Sequence, residues 1–205
     1  MSLYNETPNN IKPVVPERDD STLYATVAEQ LSTLMDFDDS VIYMSNEINE
    51  STLVDLMIRI RAILKSRSIE NADDPINIII NSPGGNFFEM MAIIDYLDSL
   101  SVKVNTICRG QALSAAAIIL ACGTGSRTMS KRSVVMFHQS SSFLDGKISD
   151  LSSYLEYIKH LETTVYNILA DRTKKDTAWW KEQMKNDLFL TSEQLLEYGV
   201  IDAII

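Results

Sequence analysis

Residues 76–81 read INIIIN and run straight into Ser82-Pro83-Gly84-Gly85. A short, unbroken apolar run closed by turn residues is the pattern of a strand covered on both faces. Strands of that kind belong to sheets flanked by helices, and this restricts the chain to the α/β class. The surrounding sequence agrees. Helical spacing predicts a helix over 21–36, with Leu23, Val27, Leu31 and Leu34 on one face, and an amphipathic helix over 51–66. The second helix carries Leu53, Leu56, Met57, Ile60 and Leu64, and Ser51 or Asn49 would cap it. VIYM (41–44) reads as a strand between them. After the glycine turn come a helix over 86–100, a strand over 103–110 and a buried helix from about Ser114. Strands over 126–130 and 133–140 lead to a long helix over 147–171, striped by Leu151, Leu155, Ile158, Leu161, Val165 and Ile168. A shorter helix over 176–185, a helix over 192–199 stopped by Gly199, and a closing strand IDAII complete the series. This alternation predicts βαβ units and a largely parallel sheet.

The chain has 205 residues and is 45% hydrophobic, enough for one domain with a real core. Residues 1–20 are polar and carry Pro8, Pro13 and Pro16, so a flexible arm or removable leader is expected there, with a single domain over 21–205. The net charge of −10 argues against a nucleic-acid partner, which would call for a basic face. The longest apolar run, Ala112 to Cys122, falls far short of the about 20 residues a membrane span needs. Nor does the N-terminus have the pattern of a secretory signal. Cys108 and Cys122 lie in apolar surroundings without metal-site spacing, and read as buried free thiols of a reducing compartment. A cytoplasmic protein is expected, with no membrane partner and no metal site.

In sheets of this class ligands bind beyond the carboxyl ends of the strands, where loops meet helix N-termini. The SPGG turn and the loop before Ser114 are both such junctions. Ser114 opens the stretch GQALSAAAIILACG (110–123), whose small apolar residues suit a fully buried helix. A serine there can be a simple cap, contributing about 1 kcal/mol. It can also be a nucleophile, provided a base stands beside it. The chain holds only two histidines. His160 sits among charged neighbours in the long helix and reads as a solvated position. His138 ends the apolar strand VVMFHQ, placed either at the edge of the core or facing a cleft. Histidine is the usual base for a serine because its pKa lies near neutrality, and a carboxylate would fix its tautomer. The developing oxyanion needs N–H donors. The N–H of Ala115, on the first helical turn, and that of Gly84 or Gly85 could supply them. The G-x-S-x-G elbow is absent.

INSPGG (80–85), TICRGQALSAAA (106–117), VVMFHQS (134–140) and NDLFLTSEQLLEYGVID (186–202) together resemble the Clp protease proteolytic subunit family, ClpP, in order and spacing. The resemblance covers roughly 36–205. It implies the ClpP/crotonase-like α/β fold, with repeated ββα-type units, a mostly parallel sheet and a long protruding helix. The family's G-x-A-x-S segment matches Gly110, Ala112 and Ser114, and its M-x-HQ-P segment matches Met136, His138 and Gln139. The family's acid, ahead of an aromatic residue and the last helix, matches Asp187 before Phe189. By that matching Ser114 is the nucleophile, His138 the base and then acid, and Asp187 the orienting carboxylate, with Gly85 and Ala115 as oxyanion donors.

The resemblance further implies a serine endopeptidase that cleaves unfolded polypeptides inside an enclosed homo-oligomer. That oligomer is a heptameric ring or two stacked rings, fed by an AAA+ unfoldase. No cofactor is expected on this chain, ATP being used by the partner. The long helix would meet the facing ring. Some positions depart from the family pattern. Ser140 replaces a proline, Asn186 an arginine and Lys185 an acid, while Asn77, Ile79, Ser99 and Thr128 stand where aromatics line the unfoldase pocket. Two rival readings are a crotonase-type acyl-CoA enzyme and a non-catalytic ring subunit. The intact Ser/His/Asp set argues against both.

Overall fold

The computed structural model describes residues 40–139 and 148–205, the side chains of 148–154 excepted. All of these lie in one compact unit, residues 36–205. The N-terminal arm, the helix over 21–36, Ser140 and the Leu151 side chain lie outside the described residues.

The strands are β1 (Val41–Met44), β2 (Ile76–Ser82), β3 (Val104–Leu113), β4 (Arg127–Met129), β5 (Val134–Phe137), β6 (Leu188–Leu190) and β7 (Ala203–Ile204). They form one sheet in the order β1-β2-β3-β4-β7, with β5 also on β3 and β6 on β5. Every pairing is parallel except β5–β6. The helices are α1 (Glu50–Ser66), α2 (Phe87–Ser99), α3 (Ala115–Ala121), α4 (Ile148–Arg172), α5 (Thr177–Gln183) and α6 (Ser192–Glu197). This is the mixed α/β fold with a mostly parallel sheet that the sequence predicts.

Asn49 caps α1: its side chain accepts from the Thr52 N–H at 3.1 Å, and Ser51 donates to the same oxygen. Ile76, Ile78 and Ile80 of β2 are fully buried, whereas Asn77 and Ile79 are only half-buried. Cover on both faces of β2 is therefore complete on one face only among the described residues. Helices α1 and α3 contact β1 and β2–β3 respectively. On the other face Asn105 donates to Asn77 at 2.9 Å, a polar pair where an apolar cover would demand aliphatic side chains.

The strand expected to stop at Gly110 runs on to Leu113, and what happens at Gly110 is a change of partner. Residues Thr106–Cys108 pair with β4, while Gln111–Leu113 pair with β5. Against β2 the register jumps from Ile80↔Cys108 to Ser82↔Ala112, so β3 carries extra residues at the jump. Gly110 has φ +102°, and a Cβ there would lie 2.5 Å from the Asn81 side-chain oxygen. That oxygen accepts from the Gln111 N–H, and the Gly110 N–H donates to Ser133 Oγ at 3.0 Å. The bulge lets one strand hold two neighbours in succession, and it brings the end of β5 beside the end of β3.

A second difference is β6, which hydrophobic periodicity did not mark. It is three residues long and runs antiparallel to β5, pairing Phe137 with Leu188. Behind it Trp180 is fully buried, its ring 5.0 Å from that of Phe137, and its indole N–H donates to Thr173 Oγ1. Arg127 and Asp202 form a salt bridge that ties β7 to β4.

Candidate active site

Three strand ends converge. The Ser82↔Ala112 pairing of β2 with β3 lays the Gly84–Gly85 turn alongside Ser114. The Leu113↔Met136 pairing of β3 with β5 continues into a bond from the Ser114 N–H to the Met136 carbonyl at 2.8 Å, which leaves His138 two residues beyond. The Phe137↔Leu188 pairing of β5 with β6 then sets Asp187 opposite His138. The sequence separations are large, yet three strand registers are enough to gather the residues.

Ser114 occupies the position before α3 where a cap would stand, but its side chain makes no capping bond. Its Oγ lies 2.8 Å from His138 Nε2 instead. The backbone at Ser114 has φ +54° and ψ −123°, a conformation that side-chain-bearing residues rarely adopt. Such a conformation costs on the order of 1–3 kcal/mol, which the surrounding structure must offset. Here it turns the chain sharply from strand to helix and lifts the hydroxyl to the mouth of α3, whose residues are all buried.

His138 Nδ1 is 3.5 Å from Asp187 Oδ1, an ion-pair distance rather than a close hydrogen bond. The His138 side chain is 27% exposed and that of Asp187 63% exposed. The carboxylate lies on the Nδ1 side, and in the tautomer with its proton on Nδ1 the free Nε2 accepts from the Ser114 hydroxyl.

The glycine turn is fixed by close approach. Gly84 has φ +91°, and a Cβ would lie 2.4 Å from the Leu113 carbonyl oxygen and 2.9 Å from Ser114 Cβ. A Cβ on Gly85 would lie 2.2 Å from the Ile48 carbonyl oxygen. The Gly84 carbonyl accepts from the Ile48 N–H, and the Ile48 carbonyl from the Asn86 N–H, so the turn is clamped on both sides. Ala115 is the first residue of α3, where the N–H groups have no intrahelical acceptor.

These residues open onto a cleft of about 290 Å³. Its lining is mixed, apolar side chains such as Met90, Ile118 and Val165 alternating with polar ones such as Gln139 and Glu162. Sequence reading missed the contribution of α4: Ile158, Glu162, Val165 and Tyr166 all line the cleft. Ile158 and Val165 belong to the apolar stripe read from the sequence, but Glu162 and Tyr166 do not, and nothing in the stripe said that this face borders Ser114. Gln139 donates to the Tyr166 hydroxyl at 3.3 Å. His160 is exposed, as expected.

Cys108 and Cys122 are buried free thiols, and burial raises them to about 11 and about 12. No group of three or more His, Cys, Asp or Glu side chains that could hold a metal occurs among the described residues. No described helix is long and apolar enough to cross a membrane.

The family model described as Clp protease matches residues 25–205. The chain belongs to the Clp protease family. That family is one of peptidases, and the match favours this chemistry over an acyl-CoA enzyme. The ATP-dependent Clp protease proteolytic subunit 1 of Mycolicibacterium paratuberculosis is 34% identical over 82% of this chain and 80% of its own length. Subunit 2 of Mycobacterium leprae is 33% identical over 82% of this chain and 78% of its own. Subunit 3 of Nocardia farcinica is 34% identical over 82% of this chain and 76% of its own.

Proposed function

We propose that the chain is a serine endopeptidase, the proteolytic subunit of an ATP-dependent Clp-type protease, with Ser114, His138 and Asp187 as its triad. The observation that carries the reading is the 2.8 Å contact between Ser114 Oγ and His138 Nε2 at a strained helix mouth. Ser114 Oγ attacks the scissile carbonyl carbon while His138 Nε2 takes its proton. The Gly85 and Ala115 N–H groups bind the oxyanion that forms. His138 then protonates the leaving amine, which departs and leaves an acyl-enzyme. Water, activated by the same imidazole, releases the second product. Asp187 holds the imidazole in the tautomer this requires and stabilises the imidazolium.

The chemistry uses side chains and backbone N–H groups of this chain, without a metal or bound cofactor. The substrates are unfolded polypeptides, reached in the cytoplasm inside a homo-oligomer of heptameric rings. ATP is consumed by an AAA+ partner. Docking of that partner differs from the family norm, because the half-buried sheet face carries Asn77, Ile79 and Thr128 and a polar Asn77–Asn105 bond.

Hydrolysis of a small peptide ester by the assembled protein tests the reading. Turnover that Ser114→Ala abolishes supports it. Turnover that survives in this variant, or activity confined to an acyl-CoA, overturns it.

A further inference from the structure

The cleft beside Ser114 is not uniformly apolar. Among the described residues Glu162 is its only acidic lining residue, and neither Lys nor Arg lines it. Glu162 sits on α4 one turn before Tyr166, about 6 Å along the helix axis. Tyr166 is itself located by the bond from Gln139, the residue next to His138. Glu162 therefore lines the same cleft as the reacting pair, with Ile158 and Val165 on the same face of the helix. Among the described residues no hydrogen bond or ion pair engages it. Burial raises its carboxyl above the ordinary range. Burial also raises the Tyr166 phenol, and the Glu162 charge adds to that rise, so the two groups share one polar end of the cleft.

When a substrate side chain displaces the water at this carboxylate, a cation or donor must take its place, or the carboxylate is left desolvated and unpaired. The walls, by contrast, suit a hydrocarbon stem. A side chain that combines both, several methylenes followed by a cationic tip, fits the whole cleft.

We propose that Glu162 is a specificity-determining residue that selects substrates with lysine or arginine on the acyl side of the scissile bond. The stem packs against the apolar walls and the tip pairs with the Glu162 carboxylate, with the Tyr166 hydroxyl as a second acceptor. An aliphatic residue fills the same walls but leaves the carboxylate unpaired. An acidic residue brings like charges together and is excluded. The inference rests on the hydrolytic reading of Ser114.

The test uses the full-length assembled protein and fluorogenic peptides that differ only in the acyl-side residue: leucine, methionine, lysine, arginine or glutamate. A charge-assisted hydrogen bond should favour arginine and lysine over leucine by about tenfold in kcat/KM, with glutamate slowest. Glu162→Gln should reduce the arginine-to-leucine ratio about tenfold, and Glu162→Lys should invert the preference toward glutamate. The glutamine variant is isosteric, so the ratio stays measurable even where the lysine variant folds poorly.

Labelling of Ser114 by a small apolar fluorophosphonate is followed in the same preparations. Ser114 labelled, with leucine favoured in the wild type or the ratio unmoved by Glu162→Gln, overturns the specificity proposal and leaves the hydrolytic reading standing. Ser114 unlabelled in the wild type removes both.

Discussion

Ser114 is held in a backbone conformation that would suit glycine better, and the strain has a use: it points a hydroxyl at His138 where a cap would have turned it toward the helix. Asp187 is the weakest-held member of the group, at 3.5 Å from Nδ1 and largely exposed. The orienting role proposed for it is nonetheless one that an amide cannot fill. Asparagine would favour the wrong imidazole tautomer, a change that costs roughly 10⁴ in kcat in a serine protease triad. Asp187→Asn should therefore lower peptidase turnover by several orders of magnitude while the melting temperature stays near that of the wild type. Near-normal turnover in that variant would assign the orienting role to another carboxylate.

At the scale of elements, the site depends on backbones that approach closer than any side chain would allow. Gly84→Ala would drive a Cβ to 2.4 Å from the Leu113 carbonyl, at φ +91°. The conformational cost alone is about 1–3 kcal/mol. Loss of activity should exceed what the loss of stability explains, because the turn that shifts carries Gly85, the proposed oxyanion donor. Comparing kcat/KM with chemical denaturation midpoints measures this, and a variant that is destabilised but fully active contradicts it. The Arg127–Asp202 bridge gives a pH prediction. Burial pushes the Asp202 carboxyl up, but the Arg127 side chain and N–H outweigh it, so the net effect is a pKa below its ordinary 3.8. A depressed carboxylate contributes stability above its unfolded pKa and loses it as pH falls through the folded value. Asp202→Asn should thus lower the melting temperature at neutral pH, and the two melting curves should converge in acid, below about pH 4. Residues that pack locally were legible in the sequence: the isoleucines of β2, the stripe of α1 and the buried run of α3 all follow from period and composition. The β3 bulge and β6 were not, since a three-residue strand has no period and its pairing joins Phe137 to Leu188 across the whole of α4. For the same reason Ser114 and His138 could be nominated from chemistry, whereas Asp187 needed the family resemblance until strand register placed it.

For the whole molecule, the exposure of Asp187 and of the neighbouring Phe189 suggests that the site is finished by assembly. In this chain Asn186 stands where the family resemblance places an arginine, and Lys185 is engaged with Glu182 at 2.5 Å within its own helix–loop segment. A rim charge pair is worth little by itself, but in the proposed ring assembly its loss would repeat at every subunit. Double rings should therefore dissociate on dilution, with specific activity falling in parallel. Native mass spectrometry across a dilution series checks this, and a double ring that persists at nanomolar concentration with undiminished activity contradicts it. The central claim, that Ser114 and His138 form the hydrolytic pair, is tested most directly by treating the assembled protein with a fluorophosphonate and mapping the adduct. The account predicts a single modified residue, Ser114, with labelling abolished in Ser114→Ala and strongly slowed in His138→Ala. An adduct on any other residue, or labelling that does not need His138, would contradict it.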